Sequence, residues 1–261
     1  RHLANLESGL GNPTVLILQQ VAQALNCTMA ELLGDITTAS PEWLLIREML
    51  GRRDEADLYR ARLAIGKALG LEGGAAAGDR RTRIALIGLR GAGKSTLGAM
   101  LAEYYGFPFI ELSGEIEKLS GCSVGEIQAL YGQAAYRRYE RRALEEAIQI
   151  HTEAVIATPG GIVNDPATFG TLISHCTTVW LRASAEDHMG RVRAQGDVRP
   201  MQANPEAMQD LKLILEGRAP FYGKADATVY TSATSLSGAF ERLRESLSSL
   251  LNSKESRLQA K

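Results

Sequence analysis

The segment 84–96 carries residue types that can hold phosphate. It reads IALIGLRGAGKST, so a short apolar run leads into G-x-x-x-x-G-K-S, the Walker A pattern. Gly88 and Gly93 permit backbone conformations and close approaches that a Cβ would block, so successive N–H groups can point at phosphate. Lys94 adds a mobile positive charge and Ser95 a hydroxyl for Mg²⁺. The expected phosphate-binding residues of this loop are Gly88, Gly91, Ala92, Gly93, Lys94, Ser95 and Thr96.

Short apolar segments alternate with amphipathic ones from residue 83 onward. We expect strands at 83–87, 107–111, 154–157, 177–181 and 227–230, with helices between them. This alternation predicts an α/β fold with a buried parallel sheet, whose ligands bind outside the carboxyl ends of the strands. The Walker A loop follows the first strand at that end, and the helix that begins near Lys94 adds its positive dipole end. The loop alone does not say whether a phosphoryl group is transferred.

The composition excludes several classes of protein. With 261 residues, 45% apolar and 23% charged, the chain has the make-up of a globular protein of one or two domains. A net charge of −1 argues against overall attraction to nucleic acid or membrane. The three cysteines and four histidines lack metal-ligand spacing, and the histidines read as surface or structural residues. No apolar run reaches the ~18 residues of a membrane span, so we expect a cytoplasmic protein without membrane contact.

Residues 1–34 read as two or three short helices. The motifs LxxLESG at 3–9, NPT at 12–14, AxAL at 22–25 and ELLG at 31–34 resemble the second half of a Cro/XRE-type helix-turn-helix domain. Because the chain opens on Arg1 inside a helical pattern, we expect a truncated module. The resemblance implies that Arg1, His2 and Asn5 face the bases in the major groove, and that the protein is a homodimer. An ordinary helical bundle is the alternative.

The remaining domain boundaries follow from changes in composition. Residues 35–80 hold two apolar helical segments and the break GGAAAG at 73–78, which predicts a helical and flexible linker. Two roles stay open for this segment. It is either a connector that dimerises or relays motion, or a passive spacer. Residues 81–252 form the P-loop domain, and 253–261 a C-terminal tail.

Several motifs follow the P-loop in a characteristic order between about residues 83 and 250. They are FIE at 109–111, IE at 116–117, GxSVxEI at 121–127, Gly132, YRRxE at 136–140, TxGG at 158–161, DVRP at 197–200 and RAPxY at 218–222. In this order they resemble shikimate kinase, a small P-loop kinase with a mobile lid. The resemblance implies ATP with Mg²⁺ at the loop.

The same resemblance implies an acceptor site. In shikimate kinases the positions matching Arg137 and Arg218 bind the substrate carboxylate, and those matching Gly160 and Gly161 line the site. Guanidinium groups pair bidentately with carboxylates, so this assignment is physically reasonable. Arg199, on the lid segment, would meet phosphate charge. Surface ion pairing is the alternative for all three arginines.

The end of the second strand departs from the shikimate kinase pattern. That pattern has Asp-x-Asp, in which one aspartate helps to place Mg²⁺ and the other accepts the proton of the attacking hydroxyl. This chain has Glu111-Leu112-Ser113. Glu111 can still join Ser95 at Mg²⁺, but the hydroxyl of Ser113 cannot act as a carboxylate base. Losing a positioned base costs about 10²–10⁴-fold, so we expect no efficient phosphorylation of shikimate. Pro159 also replaces the first glycine of a Gly-Gly-Gly run.

The combination of these parts resembles the benzoyl-CoA-responsive regulators of bacterial aromatic catabolism. The segments GLRGAGKST at 88–96, LYGQAAYRR at 130–138 and QGDVRP at 195–200 carry that likeness. It predicts a DNA-binding transcriptional regulator, a repressor, that binds operator DNA and requires no cofactor. Benzoyl-CoA or another acyl-CoA would occupy the P-loop and the pocket of Arg137, Gly160, Gly161 and Arg218.

Two alternatives stay open. The first is an active P-loop small-molecule kinase that uses ATP and Mg²⁺, with Lys94 and Glu111 as catalytic residues. The second is a regulator that senses ATP or another phosphorylated metabolite.

Overall fold

The computed structural model of the protein describes residues 14–24, 29, 41–51, 53–68, 80, 82–194 and 207–258. The chain divides into two compact units, Arg1–Leu71 and Glu72–Lys261. Arg1, His2, Asn5 and Arg199 lie outside the described residues.

The first unit contains three described helices, α1 (Val15–Ala24), α2 (Pro41–Leu50) and α3 (Glu55–Ala68). Pro41 opens α2, a position where its missing N–H is of no consequence. The carboxylate of Asp54 accepts a hydrogen bond from the amide of Asp57 at 2.7 Å and so caps the start of α3. Helices α2 and α3 fall within the segment predicted as a helical linker.

The second unit is built on a five-stranded sheet of β1 (Arg83–Ile87), β2 (Phe109–Glu111), β3 (Ala154–Ala157), β4 (Thr177–Arg182) and β5 (Ala227–Tyr230). The strand order is β2-β3-β1-β4-β5, and every pair is parallel. In register, Ile84 pairs with Val155 on one side and with Thr177 on the other. The predicted α/β fold with a parallel sheet is therefore confirmed.

The second strand is two residues shorter than predicted. The amide of Phe107 donates to the carbonyl oxygen of Ala102 at 2.9 Å, at the end of the preceding helix. Pro108 has no N–H to donate to a neighbouring strand. Pairing with β3 therefore begins at Phe109.

The helices of the second unit cover both faces of the sheet. They are α4 (Lys94–Tyr105), α5 (Leu112–Ser120), α6 (Gly132–Ile150), α7 (Pro166–His175), α8 (Ala185–Ala194), α9 (Ala207–Tyr222) and α10 (Leu236–Leu258). Three shorter helical segments are Val124–Glu126, the π-helix Ile127–Tyr131 and the 3₁₀-helix Ile162–Asn164. None of the described helices is both long and apolar enough to cross a membrane.

Alternate residues of β1 belong to two different hydrophobic clusters, as the period of a strand requires. Ala85 and Ile87 belong to the cluster that includes residues of α5, α6 and α7. Ile84 and Leu86 belong to the cluster that includes residues of α4 and α10. All five residues of β1 are buried, which fits its place in the middle of a parallel sheet. Residues of β1 therefore pack in both clusters, and the phosphate loop begins at the carboxyl end of β1.

Candidate functional site

The phosphate loop joins β1 to α4 and depends on glycine at two points of close approach. Gly88 has φ 138°, and a Cβ there would lie 2.5 Å from the carbonyl oxygen of Leu181. Gly91 has φ 80°, and a Cβ there would lie 2.9 Å from the carbonyl oxygen of His188. Side chains at these positions would be strained and would clash with backbone. The loop can therefore take this shape only with glycines there.

Lys94 lies buried under the loop that it follows. Its Nζ donates to the carbonyl oxygens of Gly88 at 2.9 Å and Leu89 at 3.0 Å. Burial lowers the pKa of Lys94 to about 8; the negative charge of Glu111 opposes this shift, and the positive charge of Arg90 adds to it. A phosphate group close to Nζ would favour the charged form of the amine.

The two side chains predicted to bind a magnesium ion are Ser95 and Glu111. Ser95 is exposed in the first turn of α4, and Glu111 is half-buried at the end of β2. Among the described residues, no group of three or more His, Cys, Asp or Glu side chains could hold a metal. Hydroxyl and carboxylate oxygens fit Mg²⁺, which takes few protein ligands and keeps waters and substrate phosphates for the rest.

Gly160 connects the phosphate loop to a second group of predicted site residues. A Cβ at Gly160 would lie 3.0 Å from the amide nitrogen of Arg90, so this glycine packs directly on the loop backbone. Its carbonyl oxygen accepts a hydrogen bond from Arg218 Nη1 at 3.1 Å and another from the hydroxyl of Tyr222. Helix α9, which carries both donors, is thereby fixed next to the loop.

Arg137 approaches the neighbouring glycine from helix α6. A Cβ at Gly161 would lie 3.1 Å from Arg137 Nη2. The guanidinium forms an ion pair with Glu140 one turn further along the helix and lies 5.2 Å from the ring centroid of Tyr136. When the side-chain amide of Gln133 is oriented with its oxygen toward Arg137, that oxygen accepts a further hydrogen bond from Arg137 Nη2 at 3.0 Å. These contacts fix the guanidinium beside Gly161.

Glu140 is a fully buried carboxylate that holds Arg137 in place. Burial raises the pKa of Glu140, while the hydrogen bond and charge of Arg137 oppose the shift. The hydroxyl of Tyr136 donates to the other carboxylate oxygen at 3.1 Å. A buried carboxylate with both oxygens engaged is a rigid support for a cation.

The structure brings most of the predicted residues of the two sites to one region. The loop residues, Gly160, Gly161, Arg137 and Arg218 are linked by the contacts described above. Ser113 is half-buried in the first turn of α5, directly after the strand that ends at Glu111. Arg199 and the three residues predicted to face DNA lie outside the described part of the chain.

Sequence reasoning missed three residues that contact the phosphate loop from behind. His188 and Arg191 on α8, and Thr231 after β5, each bond a carbonyl oxygen of the loop. His188 was expected to have a surface or structural role, and it is buried at 2% exposure, without its contact to the loop having been foreseen. No local motif marks these residues, since they lie about a hundred or more positions from the loop in sequence.

A family model described as shikimate kinase matches residues 90–249, which is more than half of the chain. The chain belongs to the shikimate kinase family. The match covers β2 to β5 and most of the phosphate loop, so it includes both groups of site residues.

Individual relatives agree with the family model. The shikimate kinase of Synechococcus sp. strain RCC307 is 36% identical over 170 residues, covering 65% of this chain and 86% of that protein. That of Gloeobacter violaceus is 39% identical over 159 residues, covering 61% and 89%. The structure of shikimate kinase from Acinetobacter baumannii in complex with shikimate matches with a TM-score of 0.58 and 28% identity, covering 66% of this chain and 94% of that one.

These findings correct the functional prediction. The expected benzoyl-CoA-responsive regulator, with operator DNA and an acyl-CoA as partners, is wrong, because the matching relatives are shikimate kinases at 33–39% identity over most of their length. The matching family model begins at residue 90 and gives no support to the helix-turn-helix resemblance of residues 1–34. The comparisons support the alternative, an active P-loop kinase. The prediction had relied on the change at Ser113 and on the motifs of residues 1–34, which the matching family model does not cover.

Proposed function

We propose that the protein is a P-loop kinase that transfers the γ-phosphoryl group of ATP to a hydroxyl of a small carboxylate-bearing acceptor. Shikimate is the first candidate, because the curated relatives are shikimate kinases and one related structure contains shikimate. The observation that carries the proposal is the position of Gly160. It packs on the phosphate loop at Arg90 and accepts a hydrogen bond from Arg218, so a nucleotide and an acceptor would be neighbours.

The nucleotide side supplies positioning and positive charge. Phosphoryl transfer passes through a loose transition state, so the protein contributes mainly alignment and electrostatic stabilisation. The loop amides and Lys94 are suited to both tasks, since Lys94 is buried and its amine donates hydrogen bonds to two carbonyl oxygens of the loop. When bound, Mg²⁺ would be held by Ser95 and Glu111 and would neutralise charge on the β- and γ-phosphates.

The acceptor side supplies two guanidinium groups for a carboxylate. Arg137 is oriented by Glu140 and Gln133, and Arg218 uses one of its five N–H donors on Gly160. Donors that remain on each side chain can bind a carboxylate bidentately. Holding the acceptor by its carboxylate would direct one of its hydroxyls toward the phosphate loop.

The rate of phosphoryl transfer that we expect depends on Ser113. A hydroxyl cannot accept the proton of the attacking acceptor as a carboxylate can, which removes about 10²–10⁴-fold of rate. Alignment and charge stabilisation remain, and they supply most of the catalysis in phosphoryl transfer. The protein should therefore turn over slowly.

The proposal is tested by measuring the product itself. The protein, at a concentration comparable to that of shikimate, is incubated with ATP and Mg²⁺, and phosphorylated shikimate is quantified by mass spectrometry. We expect product from the wild type and, because one positioned charge is lost, at least ~10²-fold less from Lys94→Ala. No product from the wild type, or equal amounts from both proteins, would refute the proposal.

A further inference from the structure

Three consecutive carbonyl oxygens of the phosphate loop are held from the side opposite the loop amides. His188 Nδ1 lies 2.8 Å from the carbonyl oxygen of Arg90. Arg191 Nη1 donates to that of Gly91 at 3.3 Å. Thr231 Oγ1 donates to that of Ala92 at 3.3 Å. We call His188, Arg191 and Thr231 the carbonyl clamp.

The members of the clamp also support one another. Arg191 Nη1 donates to Thr231 Oγ1 at 3.1 Å, and Arg191 Nη2 donates to the carbonyl oxygen of Thr231 at 2.6 Å. The amide of Thr231 donates to the carbonyl oxygen of Arg182 at 2.8 Å, which ties the clamp to the end of β4. The clamp is therefore anchored on the sheet and on α8.

Because each peptide group is planar, fixing the carbonyl groups of the loop also fixes its amide groups. In a trans peptide the C=O and the following N–H point in opposite directions within one plane. The described residues contain no cis peptide. Fixing the carbonyls of Arg90 and Ala92 therefore fixes the N–H groups of Gly91 and Gly93 on the other side. The amide of Ala92 instead closes a turn onto the carbonyl of Leu89 at 3.1 Å.

The environment of His188 defines its hydrogen bond. The side chain is 2% exposed. Burial lowers the pKa of His188, while its hydrogen bond to the backbone of Arg90 opposes the shift. Because a carbonyl oxygen only accepts, Nδ1 must carry the hydrogen. Gly91 makes the contact possible, since a side chain there would meet the backbone of His188.

We propose that the carbonyl clamp, in which His188 and Thr231 are both buried, positions the phosphate loop for nucleotide by holding the Gly91 and Gly93 amides toward the phosphates. The inference rests on the proposed function only in that the phosphates are those of ATP. His188 is a positioning residue, since it acts through the loop and touches neither substrate.

The test compares ATP binding by variants of the full chain. His188→Leu leaves the carbonyl of Arg90 buried without its donor, so the Kd for ATP, measured by calorimetry, should rise about tenfold. His188→Gln, which keeps an N–H, should restore it to within about twofold of the wild type. The Kd for shikimate should stay unchanged in both. His175→Leu is the matched control, because His175 also bonds a backbone carbonyl, that of Thr171 at 3.0 Å, far from the loop.

A second variant covers the case in which His188→Leu does not fold. Thr231→Val preserves shape and removes the hydroxyl that donates to Ala92 and accepts from Arg191, and we expect the Kd for ATP to rise about threefold. Wild-type ATP affinity in His188→Leu, or in Thr231→Val if the former is unfolded, overturns the inference. An equal loss in His188→Gln and His188→Leu also overturns it. Binding needs no turnover, so a wild type that binds ATP but forms no product refutes only the proposed function.

Discussion

The phosphate side and the acceptor side of the site differ in how closely they follow the family pattern. On the phosphate side, the G-x-x-x-x-G-K-S motif is complete, and its lysine is buried against the loop carbonyls. On the acceptor side, the two arginines and the Gly160–Gly161 pair are present, whereas Ser113 and Pro159 stand where the resemblance implies an aspartate and a glycine.

This difference separates binding from proton transfer. Under the proposed function, the residues predicted to bind the phosphates and an acceptor carboxylate are in the sequence, whereas position 113 carries a hydroxyl in place of a carboxylate. A kinase of this kind should bind both substrates with ordinary affinity and be limited by its chemical step. Its two sides can therefore be tested separately.

The largest effect should come from restoring the missing carboxylate. Ser113→Asp should raise kcat for shikimate by about 10²–10⁴-fold, because a positioned base contributes that much. Steady-state kinetics with shikimate, ATP and Mg²⁺ measure it. Ser113→Asn is the control, since it matches the size of aspartate without a base and should stay near the wild type. A kcat that is unchanged in Ser113→Asp would show that Ser113 does not occupy the position of the base.

The next largest effect should appear in acceptor binding. Arg137→Ala removes a guanidinium that Glu140 holds beside Gly161, so KM for shikimate should rise about 10–100-fold. KM for ATP should stay within about twofold. Arg138→Ala provides the control, since Arg138 is the exposed neighbour on the same helix. A similar rise in both variants, or in KM for ATP, would contradict the division into two sides.

The smallest of these effects is a pH dependence on the phosphate side. Without nucleotide, burial lowers the pKa of Lys94 to about 8, so the amine is charged below that pH and neutral above it. ATP favours the charged amine, so the Kd for ATP should rise as the pH increases above about 8, by up to about tenfold at one pH unit above it. Lys94→Ala should bind weakly at every pH without this rise. A wild-type Kd that stays constant from pH 7 to 10 would contradict the assignment.

The sequence predicted the sheet well because its strands are local apolar runs. The segments 83–87, 154–157 and 227–230 coincide with β1, β3 and β5. The start of β2 was missed, because Phe107 bonds the end of α4 and Pro108 has no donor. The π-helix Ile127–Tyr131 was not predicted either, since no residue type marks an i→i+5 pattern.

The site was predictable only where its residues form a motif. The phosphate loop lies within nine consecutive positions, and the glycine pair and arginines lie in short family patterns. The carbonyl clamp could not be predicted from the sequence, because His188 and Thr231 contact the loop only in the folded chain. The predicted function failed for another reason. It relied on Ser113 and on residues 1–34, and the comparisons contradict it. The domain boundaries and the role of Arg199 stay predictions.

The most direct test of the central claim is a calorimetric titration of the protein with shikimate in the presence of ATP and Mg²⁺, beside a titration with benzoyl-CoA. We predict binding heat from shikimate and none from benzoyl-CoA. Heat from benzoyl-CoA with none from shikimate would contradict the assignment of this protein as a kinase.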